Sequence, residues 1–343
     1  MTILLREQAA AFLRRPSGLL REGLDTLAGL PRRYSVSALV GVRRCGKTVL
    51  LRQLSRRLGE SRCHYCDLED ERLLGFSAAS FDGLIEALTE SFGERRTLLL
   101  DGLTAVPDWK ALLRRARERR LRVVFTAAAV SSEVPHLRLH PYSFREFVRL
   151  HGASPERGLE NPTQRGRLRA LFARYLSEGG MPAPGAYERV LYRDIAARHG
   201  VRQLDALRGF LLELTTHPGR TAPFSELKRR FGLGSLNTLK TWLSWTLESG
   251  LLFAVPARGP GHPRLYCADH ALVGALPRER ALENAVALEL LRRGFKVSHE
   301  DGVFVCAAKG RAALRLLLRD GEVMPPGRPA QRLPAWEWLI RRG

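Results

Sequence analysis

Apolar residues in the first half of the chain come in short unbroken runs, separated by longer stretches where they recur every three or four positions. The runs are Val36–Val40, Cys63–Leu68, Thr97–Asp101, Val123–Thr126 and His136–Leu139. Runs of this length without polar alternation read as strands covered on both faces, as in a parallel sheet. Residues 48–58, 78–91, 107–119 and 143–151 carry helical spacing, so strand and helix alternate as in an α/β fold. Ahead of this block, residues 1–34 form a basic amphipathic lead-in that breaks at Leu13–Gly18. After it, the stretch 152–162 has the glycines and prolines of a boundary loop. The predicted organisation is therefore a lead-in (1–34), an α/β domain (35–152), a helical region (166–215), a compact module (216–263) and a smaller α/β tail (264–343). The helical region is interrupted at Glu178–Pro182, and the tail ends in a segment holding Pro325, Pro326, Pro329 and Pro334.

The first apolar run feeds directly into Gly41-Val42-Arg43-Arg44-Cys45-Gly46-Lys47-Thr48, and Val49, Leu50, Leu51, Leu54 and Leu58 continue as a helix. This matches the phosphate-loop pattern G-x-x-x-x-G-K-T/S at every fixed position and in its strand-to-helix setting. Glycines let backbone N–H groups curl around phosphates, and the helix N-terminus adds partial positive charge. Gly41 to Val49 is the predicted ATP cradle, with Lys47 reaching the terminal phosphates and the Thr48 hydroxyl ligating Mg2+. A ligand-free tight turn is the competing reading. The strand Thr97–Asp101 ends in an acid, which supplies the second predicted magnesium ligand; the alternative is an acid capping the next helix.

Two neighbouring positions look eroded. Glycine follows Asp101, and Gly102 offers no side chain to polarise an attacking water. A gain of turnover in Gly102→Glu would mark the glycine as the defect. The strand 121–126 ends in Thr126 but continues as Ala127-Ala128-Ala129, leaving Thr126 as the one polar group able to meet a γ-phosphate. Asp67, Glu69, Asp70 and Asp108 also fall near strand ends, where parallel strands present their ligand edge. Lys47 and Asp101, with Glu69 or Asp67 as a displaced acid, are the catalytic candidates, strand-end solvation and helix capping being the alternative for Asp67 and Glu69.

Residues 221–256 read as a winged helix-turn-helix: a helix at Phe224–Phe231, a turn at Gly232-Leu233-Gly234, a second helix at Leu236–Ser249 capped by Ser235, and a strand from Leu251. Arg229, Arg230 and Lys240 are the candidates for phosphate contacts with DNA. Trp242 and Trp245 are bulky for a groove-facing surface, which favours a protein contact instead. The run Arg114–Arg122 is either a solvated helix face or a backbone contact for nucleic acid.

Charge adds a partner class. The chain has 343 residues, 56 Lys and Arg against 35 Asp and Glu, and a net charge of +21. Only 6 of the 56 are lysine, the mark of a GC-rich coding bias, but such a bias does not create a surplus of cations. A polyanionic partner accounts for it. The five cysteines are odd in number and scattered, so they do not frame disulfides. Cys63 and Cys66 share a strand on opposite faces and read as core thiols. The longest apolar run, Leu121–Val130, is too short and interrupted to span a bilayer. The N-terminus lacks a signal-peptide pattern, so a cytoplasmic location is expected.

Taken in order, these segments resemble the bacterial and archaeal AAA-like P-loop ATPases that carry a winged helix and a C-terminal restriction-nuclease-like domain. The resemblance covers most of the chain. It rests on Gly41–Leu51, Tyr65–Asp70 with Arg72-Leu73, Leu100-Asp101, Val106–Trp109 and Leu139–Phe147. It continues through Tyr175-Leu176, Gly179–Pro182, Tyr192–Ile195, Tyr266–Asp269, Glu283–Val286 and Glu289–Gly294. It implies a P-loop NTPase parallel sheet, a helical and winged-helix module, and a small nuclease-like α/β domain. ATP, Mg2+ and a DNA or protein partner come with it. The departures mark a degenerate member. The family's Asp-Glu pair is Asp101-Gly102, and its Thr-Gly-Ser-Ser turn is Thr126–Ala129. A Gly-Arg is missing before His136, and Val303, in Asp301–Val305, replaces a metal-binding aspartate. These departures imply a tail without nuclease activity, and an ATP-binding switch or regulator with weak or absent hydrolysis. An active ATPase using a displaced acid, and a scaffold with an unused loop, are the alternatives. Arg193, beside Asp194, is an arginine-finger guess.

Overall fold

The five apolar runs form one sheet in the order β2-β3-β4-β1-β5. In this computed structural model they are β1 (Val36–Val40), β2 (Cys63–Asp67), β3 (Thr97–Asp101), β4 (Arg122–Ala127) and β5 (His136–Arg138). All four pairings are parallel, with Val36 opposite Val123 and Asp67 opposite Asp101. The described residues are 1–33, 35–156, 159, 161–300, 302–307, 314–319, 321–324 and 332–341. Asp301, Pro325, Pro326 and Pro329 fall outside them. The chain divides into two compact units: Met1–Gly41 with Gly46–Leu139, and Val42–Cys45 with His140–Gly343.

In the first unit, helices α1 (Thr2–Arg14), α2 (Leu24–Arg33), α3 (Lys47–Leu58), α4 (Phe81–Phe92) and α5 (Trp109–Glu118) accompany the sheet. β1 is buried along its whole length, which is why its sequence shows no alternation. The lead-in is part of this unit. α1 packs on β2 and α4. The connection after α1 is held by α3, where Arg52 Nη1 donates to the Pro16 carbonyl and Gln53 Nε2 to those of Ser17 and Leu19 at 2.8, 2.7 and 2.8 Å. Two polar side chains on α3 are thus buried because they satisfy a loop's carbonyls.

The second unit begins before the predicted boundary loop. α6 (Phe144–Leu150) is capped by Ser143 and Glu146 in a reciprocal box, and Phe144, Phe147 and Val148 enter the core of this unit with Leu168 and Tyr175. α7 (Pro162–Glu178) starts within the stretch read as loop, because Asn161 caps it and proline suits its first turn. α8 (Ala186–Arg189) runs into a π-helix at Val190–Ala197, followed by α9 (Leu204–Thr216), α10 (Phe224–Arg230) and α11 (Leu236–Glu248). β6 (Leu252–Val255) and β7 (Arg264–Cys267) form an antiparallel hairpin. α12 (Arg278–Arg292) precedes β8 (Lys296–Glu300), β9 (Val303–Ala307), β10 (Leu314–Arg319), β11 (Glu322–Met324) and β12 (Leu333–Pro334), and α13 (Ala335–Ile340) ends the described chain. The tail strands form an antiparallel meander.

The Gly179-Gly180 turn has a steric cause. A Cβ on Gly179, at φ +76°, would sit 2.0 Å from Asp269 Oδ1, and one on Gly180 would sit 2.2 Å from the Tyr142 carbonyl. The Gly180 N–H donates to Asp269 Oδ2 at 2.7 Å.

Candidate functional site

β1 ends at Val40, the chain turns through Gly46 in the left-handed region, and α3 begins at Lys47 with no acidic residue in its first turn. The Gly41 N–H donates to the Ala127 carbonyl at 3.2 Å, tying the loop to the end of β4. Lys47 Nζ donates to the Gly41 carbonyl at 2.8 Å, so its charge lies over the loop. β4 separates β1 from β3, and its last residues therefore stand between the loop and Asp101.

The polar groups converge on Asp101. Thr48 Oγ1 donates to its Oδ2 at 2.5 Å and Thr126 Oγ1 to its Oδ1 at 2.5 Å, with the Tyr65 hydroxyl 3.5 Å from Oδ2. Thr126, 1% exposed, also accepts the Gly102 N–H at 2.8 Å. Burial, then the charges of Asp101 and Asp67, push the Tyr65 phenol far above its ordinary range, so it remains a neutral donor. Asp67, beside Asp101 across the β2–β3 ladder, is held up at about 6 by burial and then by Asp101. Its Oδ1 accepts the Glu69 N–H at 3.0 Å.

A cavity of about 620 Å³ opens beside these groups, with Gln8, Phe12, Arg15, Thr48, Tyr65 and Asp101 among its walls. α1 supplies one side. Gln8 is 7% exposed; its Oε1 accepts the Asp67 N–H at 2.9 Å, and its Nε2 donates to the Asp67 carbonyl at 3.1 Å and to Asp70 Oδ2 at 3.0 Å. Phe12 stacks on Tyr65 with centroids 3.8 Å apart. None of Gln8, Phe12 or Tyr65 stood out as a site residue in the sequence. The only signal for Gln8 was a lone amide among the buried positions of the lead-in.

Lys47, Thr48, Asp101, Thr126, Asp67 and Glu69 thus share one sheet edge. Asp70 is instead held by Arg72 and Gln8, and Arg72 drives its carboxyl well below the usual range. Asp108, at φ +53°, precedes α5 without a side-chain cap bond. Arg43, whose segment clusters with the second unit, is bound side-on by Asp194 of the π-helix, Nε to Oδ2 at 2.9 Å and Nη2 to Oδ1 at 2.8 Å. A short π segment often sits at a functional position. The Cys63 and Cys66 thiols are buried and free, and burial pushes the Cys63 thiol up to about 11, which makes both inert. Among the described residues no group of three or more His, Cys, Asp or Glu could hold a metal, and no helix is long and apolar enough to cross a membrane.

Arg229, Arg230 and Lys240 are exposed in the second unit, with Arg230 3.5 Å from Glu213. The two tryptophans do not crowd that surface. Trp242 is buried against Phe210, and Trp245 stacks flat on His199 at 3.9 Å. Asn237, Lys240, Thr241 and Ser244 form the exposed stripe of α11. The loop between β6 and β7 lies on β8: His299 donates its N–H to the Pro256 carbonyl at 2.9 Å and accepts the Arg258 N–H at 3.0 Å.

A parallel sheet whose first strand feeds a glycine-turned loop, with a lysine and a threonine opening the next helix and an aspartate closing a nearby strand, defines a P-loop domain. Residues 33–148 match the family model described as an AAA domain. The chain is 22% identical over 308 residues to an uncharacterized protein of Methanocaldococcus jannaschii, spanning 79% of this chain and 69% of that one. It is 25% identical over 311 residues to an uncharacterized protein of Haemophilus influenzae, covering 76% of each. Among solved structures, the Walker-type ATPase of Pyrococcus abyssi aligns at 15% identity with a TM-score of 0.41, over 76% of this chain and 97% of that one.

Proposed function

We propose that the chain binds Mg-ATP on Gly41–Val49 and acts as a nucleotide-dependent switch with slow hydrolysis. The observation that carries this is Thr48 on Asp101, two hard oxygen donors 2.5 Å apart at the N-terminus of α3. A magnesium ion favours a site with few protein oxygens, completed by phosphates and water, and Thr48 and Asp101 are the residues to hold it. There it would neutralise charge on the phosphates. Lys47, now on the Gly41 carbonyl, is placed to exchange that partner for a phosphate oxygen. The Arg43–Asp194 pair supports a readout, because it joins a residue of the loop pattern to the π-helix.

The test is titration with a fluorescent ATP analogue, with and without Mg2+. Binding is expected in the wild type, at least tenfold weaker in Lys47→Ala, and with its Mg2+ dependence lost in Asp101→Asn. No binding, or equal binding by Lys47→Ala, would refute the reading and leave a scaffold with an unused loop.

A second reading, DNA contact by a winged helix, is favoured by the buried Trp242 and the polar stripe on α11. Phosphate contacts would come from Lys240, Arg229 and Arg230. Since the β6–β7 loop lies on β8, α11 rather than the wing would meet DNA. Lys240→Ala is expected to weaken duplex binding and flatten its salt dependence; unchanged binding would point to a protein partner. The tail, with Val303 at the position of the resembled aspartate, is read as a structural domain without nuclease activity.

A further inference from the structure

The glycine after Asp101 is a vacancy filled from another strand. Gly102 lies at φ +71°, and a Cβ built on it would fall 2.4 Å from Glu69 Cγ, 3.1 Å from its Cδ and 3.3 Å from its Oε1. The volume into which a residue after Asp101 would project is therefore held by the carboxyl arm of Glu69.

The backbone explains the exchange. The Leu68 N–H donates to the Asp101 carbonyl at 2.9 Å, which carries the β2–β3 pairing one step past the paired Asp67 and Asp101. Leu68 consequently stands alongside Gly102, and the side chain of the next residue, Glu69, lies over the Gly102 Cα. The Glu69 N–H is turned back onto Asp67 Oδ1, which fixes the chain direction at this point. Gly102 answers with a left-handed backbone, and its own N–H is taken by Thr126.

Resting on the Mg-ATP reading above, we infer that Glu69 is the carboxylate that polarises the attacking water, delivered from the end of β2 in place of a residue at position 102. Glu69 accepts a proton from a water whose oxygen forms a bond to the γ-phosphorus. The bond from that phosphorus to the β–γ bridging oxygen breaks, ADP leaves with the electron pair, and the proton passes on to the released phosphate. General-base assistance is worth about 10²–10⁴ in rate.

The experiment uses the full chain and measures fluorescent-ATP affinity and phosphate release side by side. Glu69→Gln is expected to bind the analogue within about threefold of wild type and to lose at least about thirtyfold in release, with an unchanged thermal melting profile. Gly102→Glu alone is expected to gain no turnover, since its side chain would meet Glu69. In a Glu69→Ala background, where that volume is empty, Gly102→Glu is expected to recover turnover over Glu69→Ala alone. The inference is overturned if Glu69→Gln keeps wild-type release, if wild type binds ATP without turnover, or if Gly102→Glu accelerates release with Glu69 present. Absence of ATP binding would instead refute the nucleotide reading itself, and this inference with it. Should Glu69→Gln fail to fold, Glu69→Asp serves: it keeps the charge on a shorter arm, and it is expected to bind normally and turn over slowly. Full turnover by Glu69→Asp would count against the assignment.

Discussion

Replacing Gln8 tests whether the N-terminal helix belongs to the P-loop sheet unit. Gln8 acts as a one-residue strand mimic: its amide reproduces both backbone bonds that an additional strand would offer Asp67 at the edge of β2, and adds a third to Asp70. Gln8→Ala removes all three. A neutral bond is worth about 0.5–1.5 kcal/mol net and one to a charged group about 1.5–3. Water reaches half-buried Asp67 and recovers part of this, so the loss is expected at about 2–4 kcal/mol. Gln8→Glu sharpens the point, since it keeps the acceptor for the Asp67 N–H but sets a carboxylate against the Asp67 carbonyl and Asp70. That like charge raises the pKa of the new group in the folded state. Its penalty is therefore full at neutral pH and shrinks on acidification, when the protonated acid can donate again. Urea unfolding of the three proteins at pH 7.5 and pH 4.5 decides the matter. A loss below about 0.5 kcal/mol for Gln8→Ala, or a Gln8→Glu deficit that does not narrow at pH 4.5, would show that α1 merely rests against the domain.

Other consequences follow from the same structure. Asp67 has a folded-state pKa near 6, raised above its unfolded value of about 4; its charge opposes folding above pH 6 and costs nothing below pH 4. Asp67→Asn, which keeps the oxygen that accepts the Glu69 N–H, is expected to be more stable than wild type at pH 7.5 and equal to it near pH 4; no gain at pH 7.5 in denaturant unfolding would contradict this. His64 is depressed to about 4 by burial and then Arg95, and its Nδ1 has no hydrogen-bond partner among the described residues. Its unfolded form binds protons first, so stability is lost as pH falls from about 6.5 through 4; His64→Phe should flatten that part of the stability curve, and an unchanged curve would refute the attribution. Asn284, fully buried, accepts the Cys267 N–H at 2.7 Å and donates to its carbonyl at 3.0 Å. Asn284→Ala strands two buried backbone groups, for a loss of about 2–5 kcal/mol by calorimetry; a loss under about 1 kcal/mol would mean that water replaces the amide.

Sequence periodicity was enough for the sheet and the loop because both depend on local features. A strand covered on both faces must be apolar throughout, and a phosphate loop must place glycines, lysine and threonine at fixed spacing. Thr48, Asp101 and Thr126 were legible for the same reason: each ends or follows a strand, and parallel strands deliver their ends to one edge. What stayed hidden depends on pairs far apart in the chain. Arg52 and Gln53 look like surface residues of α3 and are buried because their partners are carbonyls 34 to 40 positions earlier. Gln8 was unremarkable until Asp67 stood opposite it.

The position after Asp101 carries the same lesson into the chemistry. A linear pattern equates a catalytic group with a residue number, so glycine at 102 reads as loss. The sheet equates it with a volume, and that volume is reached from two strand ends at once. β2 and β3 run in register from Cys63 and Thr97 to Asp67 and Asp101; one step further Leu68 falls beside Gly102, and Glu69, next along, turns its side chain into the space a Cβ on Gly102 would take. Only one side chain fits. A glutamate just past β2 therefore requires the smallest residue just past β3, and Gly102 supplies it in a left-handed conformation that costs other residues about 1–2 kcal/mol. On this argument the glycine is the complement of Glu69, and altering either alone disturbs the other. A double-mutant cycle on phosphate release should show strong coupling between positions 69 and 102, the double variant losing far less than the sum of the single effects. Additive effects would return the glycine to the status of a simple loss.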